Sequence, residues 1–492
     1  MIWRRLEVLA KVRPEAVALH QPGTRVRYRD LARQAVTLAG LMAADGIGPG
    51  DRVAWLGHNS VAQLSLLFAC ARLGAIHVPL NWRLAPDELR FILEDSGTRR
   101  LLTEPGHAAM AALAREAAPP GCAVSDDLPT ESQHDAPAPV DGAEDPLLLV
   151  YTSGTTGRPK GALLTGAAIA ANAANARAIF TLTAADRVLT VLPMFHVGGL
   201  NIQTLPALLE GAEVLLHPRF DPDAFFDDLV AFRPTLTLLV PAAMRALVTH
   251  PRWASADLSS LRATGAGSSE VPLDLIEAFH ARGVPVQQVY GATETGPIAI
   301  AQTREEALAA PGSIGRAAPL CEARVTDEAG RATPPGVEGE IEVRGPNLMA
   351  GYWNAPAAMA EALRDGWFRT GDVGRVDATG RFWFADRLKH VIISGGENIY
   401  PAEVERVLLT APGVAEGAVC GRADARWGEV PVAVVVPGPG FDRAAVLRHF
   451  EGRLARFKQP RDVVAVSALP RTALGKVQVP ALRDLAARGE GP

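Results

Sequence analysis

The stretch YTSGTTGRPKG, running from Tyr151 to Gly161, gathers groups that hold anionic oxygens. Backbone N–H groups of a glycine-rich loop converge on such oxygens, because glycine admits φ > 0 and close approach. Ser153, Thr155 and Thr156 add hydroxyl donors, Gly154 and Gly157 add backbone freedom, and Lys160 adds a full positive charge. A surface turn with an incidental lysine is the plain alternative, and the density of donors between two apolar runs argues against it. The pattern GxxxxGK[ST] of the common P-loop does not fit, since Gly161 follows Lys160 and the spacing from Gly154 is wrong. LLLVYTSGTTGRPKGALLT reads as a hairpin with a mobile tip rather than as strand, loop and helix.

Further residues have matching chemistry. In QQVYGATET a strand ends at Tyr290, and Gly291 and Ala292 make a tight turn. Strand ends in α/β sheets are where ligands sit. Tyr290 can stack on a base, Thr293 can donate to a phosphate, and Glu294 is a hard oxygen ligand suited to Mg²⁺. The same residues also fit a helix start capped by Thr293, with Glu294 favourable against the dipole. In RTGDVGR, Asp372 is placed to accept from two vicinal hydroxyls, and Arg387 can reach the same group or a phosphate. Taken singly, they read as a turn aspartate and a surface arginine. Gly395 and Gly396 let the backbone approach a ligand closely. Lys476 in LPRTALGKVQ, isolated near the end of the sequence, reads by itself as a solvated side chain. His196 in VLPMFHVGGL is a lone histidine among apolar residues with no metal-ligand spacing.

Elements must hold these groups. The first half alternates helical patterns (YRDLARQAVTLAGLMAADG, SVAQLSLLFACARLG) with strand patterns (DRVAWLG, AIHVPLN). The alternation returns in RVLTVLP, AEVLLHP, PTLTLLVP and VPVQQVYG. It predicts an α/β fold with helix-covered, mainly parallel sheets. The polar, proline-rich segment 117–145 is a surface connection. From Gly312 short strands separated by turn residues predict a small β subdomain over 312–388. A compact α+β unit then spans 389–492, so residues 1–388 form the large N-terminal domain and the junction falls at Lys389.

Bulk numbers agree with this plan. The 492 residues exceed one typical domain. A net charge of −5, from 54 acids and 49 bases, gives no reason to expect nucleic acid or an anionic membrane as partner. Four cysteines without CxxC spacing read as buried thiols rather than a disulfide framework or zinc site. No signal peptide and no apolar run of about 18 residues is found, which predicts a cytoplasmic protein without a membrane span.

Together these motifs resemble the AMP-forming adenylating enzymes: acyl-CoA synthetases, carrier-protein-loading adenylation domains and beetle luciferases. The resemblance runs from Arg29 to Lys476. It implies that ATP is held by Thr152, Ser153, Gly154, Thr155, Thr156, Gly157 and Lys160, the loop taking the β- and γ-phosphates. Tyr290, Gly291 and Ala292 meet adenine, Thr293 the α-phosphate, Asp372 and Arg387 the ribose, and Glu294 the Mg²⁺. Lys476 becomes the adenylation lysine that bridges the acid's carboxylate and the α-phosphate. Lys389 becomes the hinge of a mobile C-terminal domain. Gly395, Gly396 and Trp427 line a pantetheine tunnel, and Phe457 stacks on the adenine of coenzyme A. Gln459 stands where one aryl-CoA ligase type has arginine, which leaves Lys458 or nearby arginines for that phosphate contact. Phe195, Gly198, Gly199, Ala266 and Gly267 wall the acyl pocket, with His196 at its entrance.

The implied activity is acid + ATP + CoA to acyl-CoA, AMP and pyrophosphate. Small lining residues leave room for a ring or medium chain. A hydrophobic aryl or cinnamate-like acid is therefore the expected substrate, ahead of a medium-chain fatty acid and a malonate-type diacid, for which Arg245 is the one candidate cation. A standalone enzyme loading a separate carrier protein, an acyl-AMP ligase that stops at the first step, and a catalytically silent nucleotide-binding relative are the rivals. Homodimers are common among such enzymes.

Overall fold

A computed structural model describes residues 2–126, 128, 135–140, 142–152, 158–267, 271–327, 329–387, 391–399, 401–470, 477 and 479–489. Its backbone falls into two compact units. The first takes residues 1–82, 93–150 and 161–386; the second takes 83–92, 151–160 and 387–492.

The first unit is built on two large sheets. One has nine strands, in the order Arg316–Ala317, Ile300–Ala301, Val286–Tyr290, Ala263–Gly267, Leu236–Leu239, Arg187–Thr190, Glu213–Leu216, Val17–Gln21 and Thr24–Arg27. From Val286–Tyr290 to Val17–Gln21 neighbouring strands run parallel. The other has seven strands, with Ala123–Ser125, Arg100–Thr103, Arg52–Leu56, Ile76–Leu80 and Pro146–Thr152 parallel in turn. The alternating helix and strand patterns of the sequence fall on these elements: Tyr28–Ala44 and Val61–Leu73 are helices flanking Arg52–Leu56. The second of these helices is capped by the Ser60 hydroxyl at its start and by left-handed Gly74 at its end. Strands buried on both faces explain continuous runs such as IHVPL and LTLL, every residue of which is buried.

The hairpin reading of the glycine-rich stretch holds at its stems: Pro146–Thr152 and Lys160–Thr165 are neighbours in the seven-stranded sheet. A separate five-stranded sheet, containing Glu322–Thr326, Gly339–Arg344, Leu363–Arg364, Trp367–Val376 and Phe382–Arg387, supplies the β-rich texture after Gly312.

In the second unit the long antiparallel pair Val414–Asp424 and Gly428–Pro437 carries Ile392–Ser394 and, in parallel, Asp462–Ala465. Its two faces have separate apolar cores. One is centred on Ile392, Val404, Leu408 and Phe450, the other on Val432, Val434 and Leu482. None of the cysteines is in a disulfide; Cys70 and Cys420 are buried, while Cys122 and Cys321 are only partly so. Among the described residues no helix is long and apolar enough to cross a membrane.

Candidate active site

Tyr290 closes the strand Val286–Tyr290, at the carboxyl end where α/β folds bind ligands. A Cβ at the next residue, Gly291, would lie 1.8 Å from the Pro297 carbonyl oxygen, so only glycine allows this turn. The Ala292 N–H donates to Thr295 Oγ1 at 2.9 Å, and Thr293–Thr295 form a single 3₁₀ turn. The hydroxyl that closes the turn is thus that of Thr295, and the reading of Thr293 as a helix cap fails.

Two hydrogen bonds tie this turn to distant residues. The Tyr290 hydroxyl donates to Asp372 Oδ2 at 2.8 Å. The Tyr352 hydroxyl donates to Glu294 Oε1, also at 2.8 Å. Asp372 lies in Trp367–Val376 just after Gly371, whose φ of +71° sets the bend. Its N–H donates to Thr370 Oγ1 at 3.1 Å. Glu340 braces the same bend, accepting the Gly371 N–H at 3.1 Å and the Arg369 guanidinium at 2.7 Å. The N–H of Met349 donates to the Glu294 carbonyl at 2.8 Å, fixing the backbone that presents this carboxylate. A half-buried carboxylate held by a phenol offers oxygen only, the donor type Mg²⁺ takes. Nothing in the local sequence points to Tyr352 or Glu340. No spacing links Tyr352 to Glu294, because the contact depends on Gly351–Tyr352 pairing with Lys160–Thr165.

On the acyl side, Phe195 is buried and His196 is exposed, with ring centroids 4.7 Å apart. The short helix Val197–Gly199 follows at once. A Cβ on Gly199 would fall 2.2 Å from the Pro193 carbonyl oxygen, and one on Gly267 would fall 2.4 Å from that of Val289. These two glycines are therefore small because backbone crowds them, which corrects the expectation that their size makes room for the acid. Ala266 is fully buried, and Gly198 is partly buried. Arg245 faces Asp274 at 3.5 Å on the surface, with nearly half its side chain exposed, which makes it a poor candidate to meet a second carboxylate.

The second unit brings its own candidates together. Gly395 donates its N–H to the Trp427 carbonyl at 2.8 Å, and a Cβ there would meet the indole at 2.8 Å. Gly395 and Gly396 have φ of +58° and +85°. Trp427 remains over one-third exposed, with the Arg426 guanidinium 4.8 Å from its ring. Phe457 packs partly against the Ile392 core. Lys458 cannot serve a phosphate: it is buried, and its Nζ donates to Glu88 Oε1 and Glu403 Oε1, each at 2.8 Å. Burial alone would lower the ammonium, yet the two carboxylates hold it above its ordinary range. Burial pushes the Glu403 carboxyl up, against the pull of Lys458. The Gln459 amide is committed to the Phe450 and Leu454 carbonyls.

Thr152 and Lys160 flank the glycine-rich loop, the Thr152 hydroxyl donating to the Lys160 carbonyl at 3.4 Å. Ser153, Gly154, Thr155, Thr156, Gly157, Lys389, His390 and Lys476 lie outside the described residues, as does the side chain of Arg387, whose backbone ends the strand Phe382–Arg387. A second polar cluster, which sequence spacing did not flag, joins His58, Glu104 and His107 within 4.8 Å. Its groups serve local structure: Glu104 Oε2 meets His58 Nδ1 at 2.7 Å, and His107 Nδ1 caps a helix through the Met110 N–H.

The chain matches the family model described as AMP-binding enzyme over residues 6–353, and that of the AMP-binding enzyme C-terminal domain over residues 403–476. It is 50% identical to an indoleacetate–CoA ligase of Aromatoleum aromaticum, over 97% of each chain. It is 45% identical to a feruloyl-CoA synthase of an Amycolatopsis species, over 95% of each. Among solved structures, o-succinylbenzoate CoA synthetase from Bacillus subtilis bound with a product analogue superposes with a TM-score of 0.90, at 32% identity and 98% coverage of both chains.

Proposed function

The chain belongs to the AMP-binding enzymes, and on that premise we infer that it is an ATP-dependent acid–CoA ligase acting on a hydrophobic aryl acid. The observation that carries this reading is its 50% identity, over nearly full length, to a ligase of an arylacetic acid. The local geometry supports it: Tyr290 and Asp372 are hydrogen-bonded to each other beside Glu294, in the order a base, a ribose and a phosphate would need.

In the first half-reaction the acid's carboxylate attacks the ATP α-phosphorus and pyrophosphate leaves. In the second, the thiol of coenzyme A attacks the acyl-adenylate and AMP leaves. Two anions must meet in the first step, so positive charge is needed at the α-phosphate. Lys476 is the group assigned to that role. A bound Mg²⁺ supplies further screening of the phosphates, and Glu294, oriented by Tyr352, is the residue assigned to hold it. Tyr290 presents its ring to adenine, while its hydroxyl orients Asp372 toward the ribose. The glycine-rich loop grips the phosphates that leave. Rotation about Lys389 then exchanges Lys476 for the face bearing Gly395, Gly396 and Trp427, because the two half-reactions need different surfaces at one spot. Against a diacid stands the exposed pairing of Arg245 with Asp274. The enzyme is read as cytoplasmic; a homodimer, common among such enzymes, would give a sedimentation mass of twice 52.0 kDa.

The test is the acceptor. With ATP, Mg²⁺ and an aryl acid, AMP and the acyl-CoA thioester should accumulate in equal amounts, and only when CoA is present. Release of pyrophosphate with no thioester would instead mark an enzyme that stops at the adenylate or loads a carrier protein.

A further inference from the structure

The helical run from Val197 to Glu210 is not regular. Between Val197–Gly199 and Leu205–Glu210 lies one π-turn, Leu200–Thr204, closed by the Leu205 N–H donating to the Leu200 carbonyl. Turns of this kind concentrate at functional sites, because they re-aim side chains at the cost of regular bonding. Gln203 sits in it. Its side chain is 2% exposed, yet neither Oε1 nor Nε2 has a hydrogen-bond partner among the described residues. Among the described residues, Gln203 is the one buried side-chain amide of which this is true of both atoms. Buried amides nearby are paired: Gln287 donates to the Ile179 and Gln302 carbonyls, and Asn172 donates to Asn201 and accepts from Ile298. Asn201, in the same π-turn and 1% exposed, has an unpartnered Oδ1 as well. An amide kept out of water without partners is costly, so its persistence calls for a partner that arrives.

Its position says which partner. Gln203 lies about one helical turn beyond Gly198 and Gly199. Its Nε2 would be 3.2 Å from a Cβ on Gly265, beside Leu238 and Phe180. Gly265 precedes Gly267 by two residues in the strand Ala263–Gly267, so both share one face. The amide therefore lies between the two elements that carry Gly198, Gly199, Ala266 and Gly267, among apolar neighbours. An amide offers one acceptor and two donor hydrogens in one plane.

Resting on the reading of the chain as an aryl acid–CoA ligase, we propose that Gln203 forms a polar subsite at the floor of the acyl pocket. It recognises an aromatic acid that carries a ring N–H or O–H far from its carboxylate. Gln203 is a specificity residue: it touches the distal ring group and takes no part at the carboxylate.

The experiment compares kcat/KM within two isosteric pairs, indole-3-acetate against benzothiophene-3-acetate and 4-hydroxycinnamate against cinnamate, in the native enzyme and in Gln203→Leu. The pairs separate a ring N–H from a ring O–H. The native enzyme should favour the donor-bearing member of at least one pair by about tenfold or more, because a buried amide left unpaired penalises the analogue. Gln203→Leu should reduce that preference to within about twofold, by losing rate on the donor acid and gaining it on the apolar one. Its melting temperature without substrate should be at or above the native value, since an unpaired amide is removed. No preference in either native pair overturns the proposal, whether or not the variant folds. An unchanged preference in Gln203→Leu, accompanied by a lower melting temperature, makes the amide purely structural and also overturns it. If both members of each pair turn over equally, only the subsite fails; if no aryl acid turns over at all, the aryl-acid reading fails with it.

Discussion

Single residues carry the chemistry only because others hold them. Glu294 is the proposed metal ligand, and the Tyr352 hydroxyl fixes one of its oxygens at 2.8 Å. Groups that orient a ligand typically change metal affinity or activity by about 10–100-fold when removed. Tyr352→Phe is therefore expected to raise the half-saturating Mg²⁺ concentration by about tenfold, with a smaller change in the KM for the acid. Titrating Mg²⁺ at saturating ATP checks this; an unchanged Mg²⁺ dependence would mean that the hydroxyl does nothing for the site. The glycines teach a related lesson. Gly199 and Gly267 look from the sequence like space for a ligand, yet each is small because a backbone carbonyl lies where its Cβ would go.

At the level of elements, the buried Lys458 joins three segments of the second unit: the start of the helix Pro86–Ser96 with Glu88, the helix Pro401–Leu408 with Glu403, and the C-terminal stretch around Phe457. Glu88 also accepts the N–H groups of Ala85 and Ala455 through its other oxygen. Removing one member of a buried ion cluster leaves charge without a partner and costs about 3–5 kcal/mol. Lys458→Met should destabilise the second unit by about that much in chemical denaturation. Glu403→Gln should cost far less, because burial already favours the neutral carboxyl. Equal effects of the two would contradict the assignment of Lys458 as the shared charge. The pH sign follows from the same group. A carboxyl raised in the folded state adds stability below its unfolded pKa, and that contribution fades as pH climbs through the raised value.

For the whole molecule, the α/β architecture was legible because apolar periodicity is a local property: IHVPL and LTLL are buried strands and SVAQLSLLFACARLG contains a capped helix. So were the strand end at Tyr290 and the bend before Asp372, because each motif is contiguous. Contacts across long separations were not legible. Tyr352 reaches Glu294 through strand pairing, and Lys458, expected to face a phosphate, is enclosed by residues 370 and 55 positions away. Nor can periodicity tell that one glutamine in an apolar helix lacks partners, since that depends on every neighbour at once. The central claim is that this assembly activates hydrophobic aryl acids. It is tested most directly by measuring pyrophosphate release with ATP, Mg²⁺ and CoA across benzoates, arylacetates, cinnamates, C4–C14 fatty acids and short diacids. The highest kcat/KM should fall on an arylacetate or a cinnamate; turnover confined to short diacids would contradict the account.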